Sequence, residues 1–305
     1  MTTMAPPVAP ARTGGGGSGA LHLIRAEYRK IRTTNSWWIF ALGLVLTTAA
    51  ALAVNMLQAH FYLTAAPPTG DDGGGPGGQA AAQAQYNLMH DVAAQAANVF
   101  TSGLFFGGLF AMLLAILLVT NEYYHQTATT TFLTTPHRSA VIVAKFVVAM
   151  IAAALFWLIT TVLDVIAGII YFKAEGFGNH LGDWTVQHAI LANLMVFALW
   201  GVFGIGLGVL IRSQLGATIT STVLYVAGSF LAGIIFTLIR YLWIKHDWVL
   251  TAQVILPAEA GRVAVAATKA YPQAAPWWVG VLVLLGYGVV TGLVGTMIMR
   301  KRDIS

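Results

Sequence analysis

Charge is scarce in this sequence. Of 305 residues only 9% are Asp, Glu, Lys or Arg, against roughly 25% in an ordinary soluble domain. So few charges cannot clothe a 32.4 kDa globule in water, which excludes a soluble enzyme, a disordered chain and a collagen-like fibre. Cysteine is absent, which removes disulfide frameworks, Cys–zinc sites and thiol catalysis. The phosphate-cradling pattern GxxxxGK[ST] is missing, as are GxSxG and HExxH. The chain therefore binds no ATP through a P-loop, and a metal site is not expected from its His spacing. The net charge of +5 raises the question of which side of a membrane the basic residues face. It does not suggest nucleic acid.

Long apolar runs are abundant. The mean hydropathy is +0.74. Six stretches, about 37–57, 99–120, 141–172, 188–211, 216–239 and 276–299, reach the ~20 helical residues that a hydrocarbon core of about 30 Å requires. Backbone groups in lipid must find partners within their own segment, so helices are the default. The expected fold is an all-α membrane protein of six transmembrane helices. It comprises a disordered tail over 1–20 and a six-span membrane domain over 21–305. The third stretch exceeds the need and implies tilt or extension past the bilayer.

Eleven of the sixteen basic residues fall in both terminal regions, in the 121–140 loop with its flank, and in the 212–215 link. The positive-inside rule then places both termini in the cytoplasm. The stretches 58–98, 173–187 and 240–275 go outside. Trp37 and Trp38 fit one aromatic belt, and Trp184, Trp243, Trp248, Trp277 and Trp278 the other.

Two segments at the cytoplasmic side carry pattern. In 21–34, Leu21, Ile24, Tyr28 and Ile31 share a helical stripe, while Arg25, Arg29, Lys30 and Arg32 point elsewhere. This reads as an amphipathic helix in the inner headgroup layer with its basic residues toward anionic lipid. Its role is either anchoring or docking of a cytoplasmic partner. In 121–140, Glu122 closes the second span, Thr127 and three further Thr precede Phe132 and Leu133, and Pro136 breaks the chain before Arg138. A short helix presenting Phe132 and Leu133 would plug a groove on another protein; the plainer reading is a polar re-entry loop.

The succession Glu122-Tyr123, Thr127, Phe132-Leu133, Pro136, Arg138 and Lys145 resembles the pattern E-Y-x-x-G-T … L-L … P … R … K of permease subunits in ABC transporters of the type 2 exporter family. Gln126 stands where that pattern has Gly. The run RAEYRKIRTTNSWW is similar to the start of actinobacterial members. The resemblance implies that 121–140 is a coupling helix and the basic N-terminal helix an interface helix. It also implies a separate cytoplasmic P-loop ATPase subunit carrying ATP and magnesium, and a second permease copy or paralogue in a bacterial plasma membrane. The exterior stretch 248–275 resembles re-entrant outer helices. The alternatives are a membrane-embedded lipid-modifying enzyme or a membrane scaffold.

Asp164 is the one acid deep within a span. Placing a carboxylate there costs ~2.5–3.5 kcal/mol on insertion scales, so it must face protein or water. It either lines a pathway for a cationic or protonatable substrate, pairs with a buried neighbour such as Asn193, or meets the outer headgroups. Asn55 and Asn98 sit near span ends and read as interfacial. Gly103 with Gly107, and Gly204 with Gly208, permit close helix approach within the subunit or between copies.

Overall fold

The computed structural model describes residues 16–68, 76–125, 138–211, 213–246, 248–269 and 274–301. The chain is built from helices: α1 (Gly16–Thr33), α2 (Ser36–Thr64), α3 (Pro76–Met89), α4 (Val92–Phe100), α5 (Leu104–Tyr124), α6 (Arg138–Ala174), α7 (Trp184–Leu210), α8 (Gln214–Ile239), α9 (Trp248–Thr251), α10 (Pro257–Val265) and α11 (Trp277–Lys301). Six helical stretches are long and apolar enough to cross a membrane: 36–64, 92–124, 140–174, 184–210, 214–244 and 277–295. These correspond one to one with the six runs expected from sequence. α1 begins at Gly16, a little ahead of the expected end of the N-terminal tail.

The second stretch is the hub, and it is not one helix. It is α4 and α5 joined through a break at Thr101, Ser102 and Gly103. The Thr101 hydroxyl donates to the Ala97 carbonyl (2.8 Å) and the Ser102 hydroxyl to that of Val99 (2.8 Å). The Leu104 N–H returns to the Thr101 carbonyl at 3.0 Å. Hydroxyls thus add bonds to carbonyls at the interrupted turn, where the Val99 carbonyl also accepts the Ser102 N–H at 3.3 Å, and such local partners let irregular backbone be tolerated at membrane depth.

α5 packs most extensively on α7, and α6 and α11 flank α7. Small residues set the approach. A Cβ at Gly208 would stand 3.0 Å from the Ile116 carbonyl and 3.1 Å from the Val119 Cβ. One at Gly204 would run into the Met112 backbone, and one at Gly107 into the Phe197 ring. Both glycine pairs therefore serve contacts inside the subunit, where close approach lets van der Waals packing replace the hydrophobic drive that lipid does not supply.

α2 and α8 lie at the margin. α2 buries the stripe Leu44, Thr48, Leu52 and Ala59, and α8 buries Ala217, Ser221, Tyr225 and Ala232. Their remaining faces present large aliphatics such as Leu46, Val54, Leu224 and Ile234 outward. The Tyr225 hydroxyl donates to the Phe105 carbonyl at 2.7 Å and its ring meets that of Trp200, which pins α8 to the start of α5. The stretch after α8 does not cross. It folds as short pieces, with Pro257 in the first turn of α10. α10 packs on α7 and α11, where a Cβ at Gly280 would collide with the α10 backbone.

Gly204→Val should loosen the α5–α7 contact, at a typical overpacking cost of about 1–3 kcal/mol. Gly233→Val meets open space and should melt like wild type. Thermal unfolding of the two variants in detergent tests this; equal melting would mean that α5 and α7 do not pack through Gly204.

Candidate functional site

Two polar sites punctuate the apolar bundle, one at the end that carries α1 and one at the α4–α5 break. The first is a closed ring of four charges. Lys145, on α6 and 1% exposed, donates to Glu27 of α1 at 2.7 Å and lies 2.7 Å from Glu122 of α5. Lys30, one turn beyond Glu27, donates to Glu27 at 2.6 Å and to Glu122 at 2.5 Å. The Lys145 ammonium also reaches the Leu118 carbonyl at 3.4 Å. Two carboxylates alternate with two ammonium groups, so the ring is neutral and each buried charge faces two of opposite sign. That geometry offsets a desolvation cost of several kcal/mol per ion.

The ring corrects three expectations. Lys30 turns inward to acids rather than toward lipid. The inward stripe of α1 is Ile24, Glu27 and Ile31, with the two isoleucines packed on α5 and α6. Leu21 and Tyr28, assigned to the apolar stripe, are 68% and 41% exposed. Arg25, Arg29 and Arg32 are exposed, as expected. Glu27 is the residue that sequence reasoning missed. Its signal was available: a lone acid between Ile24 and Ile31 on a basic helix, with Lys145 and Glu122 each placed in apolar surroundings. Glu122 is therefore a structural keystone as well as a boundary residue. Of the other expected coupling residues, Thr127, Phe132, Leu133 and Pro136 lie outside the described residues, and Arg138 opens α6.

The second site surrounds Asp164, which is 0% exposed. Its Oδ2 accepts the Gly103 N–H at 3.0 Å, so the carboxylate seats on the N-terminal end of α5, where the helix dipole favours negative charge. Its Oδ1 has no partner among the described residues. Asn193 is also 0% exposed, and neither its amide nitrogen nor its oxygen is bonded. The Asp164–Asn193 hydrogen bond is thus not made, and full burial also removes the headgroup reading. Asn55, expected at an interface, instead donates to Ser102 at 2.8 Å and joins the site. Trp157 Nε1, Thr161 Oγ1, Asp164 Oδ1 and the Tyr171 hydroxyl are all unbonded. At 100° per residue these four fall within an arc of about 80° on α6. Unpaired buried polar atoms are rare enough to call for a reason. Among the described residues these four atoms thus share one face of α6, with Asp164 at the helix break.

Lys30 lies outside the spans. Burial alone would push its ammonium down, but the hydrogen bonds and charges of Glu122 and Glu27 outweigh burial and hold it above its ordinary value of 10.5. Its contribution to stability is complete below that value and is lost as pH rises through the higher folded one. The alkaline fall in melting temperature should be steeper in wild type than in Lys30→Gln; parallel curves would remove Lys30 from the ring. Lys145→Met should cost about 3–5 kcal/mol by stranding two buried carboxylates. Adding Glu27→Gln and Glu122→Gln should recover most of that loss in the same unfolding assay.

No curated protein matches the sequence. The sequence model of the ABC-2 family transporter proteins matches residues 23–239. That span runs from α1 through α8 and takes in both polar sites, so this six-span membrane protein belongs to the ABC-2 transporter family.

Proposed function

We propose that the chain is the permease subunit of an ATP-driven ABC exporter in a bacterial plasma membrane, with both termini cytoplasmic. It pairs with a second permease copy or paralogue. A separate P-loop ATPase subunit supplies ATP and magnesium. The observation that carries the coupling part of this reading is the charged ring. In the sequence Glu122 and Lys145 flank residues 126–137, and the two pair with each other while Glu27 and Lys30 bind α1 to the same point. A push on this segment from the ATPase is therefore delivered to α1, α5 and α6 together. α5 leads from there to its other end, where Gly103 holds Asp164. Coupling consists of a difference in ATPase contacts between inward and outward states. Phe132 and Leu133 supply the apolar contact with the ATPase, and Thr127, Pro136 and Arg138 shape and flank it.

The cargo is apolar or amphipathic, in keeping with largely apolar spans, and belongs to the range of drugs, antibiotics, peptides and lipids. Asp164 and Asn193 supply the polar points of its path, and a buried carboxylate whose partners include no cation favours a cationic or protonatable head group.

Affinity purification from native membranes in mild detergent should recover a stoichiometric P-loop ATPase, and Phe132→Ala with Leu133→Ala should release it. Equal recovery from the double variant would refute the coupling assignment, and recovery of no ATPase would refute the transporter reading. Asp164→Asn should lower efflux of a lipophilic cation such as tetraphenylphosphonium by about tenfold, the effect of ~1.4 kcal/mol, and leave a neutral cargo unaffected.

A further inference from the structure

Among the described residues, Asn193 is the one side chain that leaves two polar atoms buried and unbonded, its amide nitrogen and its amide oxygen, at 0% exposure. An asparagine amide can donate twice and accept twice, and leaving those bonds unmade away from water is costly. Its position identifies a partner. α5 and α7 run parallel: a Cβ at Gly208 would meet the Ile116 carbonyl, one at Gly204 the Met112 backbone and one at Gly107 the Phe197 ring. One turn back along both helices, Asn193 stands level with Gly103. At 100° per residue, Asn193 falls within the arc of about 60° that holds Phe197, Gly204 and Gly208, so it lies on the side of α7 that faces α5. α4 also packs on α7. Asn193 is therefore set against the α4–α5 break from one side, at the level where Asp164 of α6 engages it from the other. In this structure the start of α5 leans on α6. A Cβ at Gly103 would stand 2.6 Å from the Thr160 Cβ, and the Gly103 N–H donates to Asp164. The Thr101 and Ser102 hydroxyls already donate to carbonyls, and Ser102 already accepts from Asn55.

We propose that Asn193 is a second cap of α5: in another conformation of the transport cycle, its amide oxygen accepts the Gly103 N–H that Asp164 holds here. Asparagine is among the residues best suited to accept the first N–H groups of a helix. The exchange makes one hydrogen bond as it breaks another, so the start of α5 can shift from α6 toward α7 between two conformations of similar energy. The second conformation leaves both oxygens of Asp164 free. On the cargo reading proposed above, that is the conformation in which Asp164 holds a cationic head group; the exchange of caps itself rests on the geometry of the break. Asn193 thus acts as a positioning residue, through α5 and Asp164.

The test is a double-mutant cycle of melting temperature on the full chain in detergent, with neither ATPase nor cargo present. In the wild-type background Asn193→Leu removes an unbonded amide and should raise the melting temperature by about 2–4 °C. In Asp164→Ala the Gly103 N–H turns to Asn193, so Asn193→Leu should now lower the melting temperature. In Asp164→Asn, which keeps an acceptor for Gly103, the rise should persist. Any pattern without the change of sign in Asp164→Ala overturns the proposal: a fall throughout would mean that Asn193 already has a partner, and a rise throughout that it cannot reach α5. A second measurement needs no Asp164 variant. In the transporter assembled with its ATPase, Asn193→Leu should slow turnover about tenfold although the subunit melts higher, a combination that a merely structural asparagine would not produce. An unchanged rate would remove Asn193 from the cycle. Failure of the melting cycle leaves the ATPase co-purification result untouched, and the converse also holds.

Discussion

Four charges that sum to zero hold together the end of the molecule where α1, α5 and α6 meet. Glu27, Lys30, Glu122 and Lys145 come from three separate helices, and each needs the others to be tolerable in a setting with little water. Apolar packing cannot do this work alone. Lipid chains are as apolar as leucine, so helices in a bilayer gain little from hiding aliphatic surface. An ion ring has no equivalent partner in the lipid, and it therefore selects one arrangement of α1 against the bundle. The amphipathic helix becomes part of the fold rather than a float on the surface.

From that ring, α5 runs as a buried strut through the centre of the bundle. Its far end is the α4–α5 break, where hydroxyls of Thr101 and Ser102 and the carboxylate of Asp164 satisfy the loosened backbone. The two polar sites are therefore the two ends of one helix. The glycines of α7 let this helix lie in a close groove. A rigid element with a polar device at each end is a natural carrier of motion from one end of the bundle to the other.

Much of this was legible before any coordinates. Runs of twenty apolar residues reveal spans because lipid admits few alternatives to a helix, and all six were found. The break at Thr101–Gly103 was not, because Thr, Ser and Gly are ordinary inside membrane helices and only the partner Asp164, sixty-one residues away, shows what they are for. Asp164 stands out in the sequence by its cost within a span, but whether it meets Asn193 is not readable there, since periodicity gives a face and not its neighbour. The charged ring was half visible. Glu122 and Lys145 flank one loop and so meet at one depth. The stripe Leu21, Ile24, Tyr28 and Ile31 misplaces the rotation of α1 because it counts only apolar residues, whereas pairing with Lys145 and Lys30 makes Glu27 part of the core. Thr127, Phe132, Leu133 and Pro136 lie outside the described residues, so their part rests on the sequence pattern.

The ring also bears on how the protein is made. Its members are spread over 118 residues, and a ribosome delivers them in a fixed order: Glu27 and Lys30 first, Glu122 next, Lys145 last. Until the third span has entered the bilayer, the two acids share a single lysine, and α1 cannot seat without leaving a carboxylate poorly matched. The ring is thus complete only once the first three spans have all been made. The charges that fix the finished architecture are therefore completed last, by a residue of the third span.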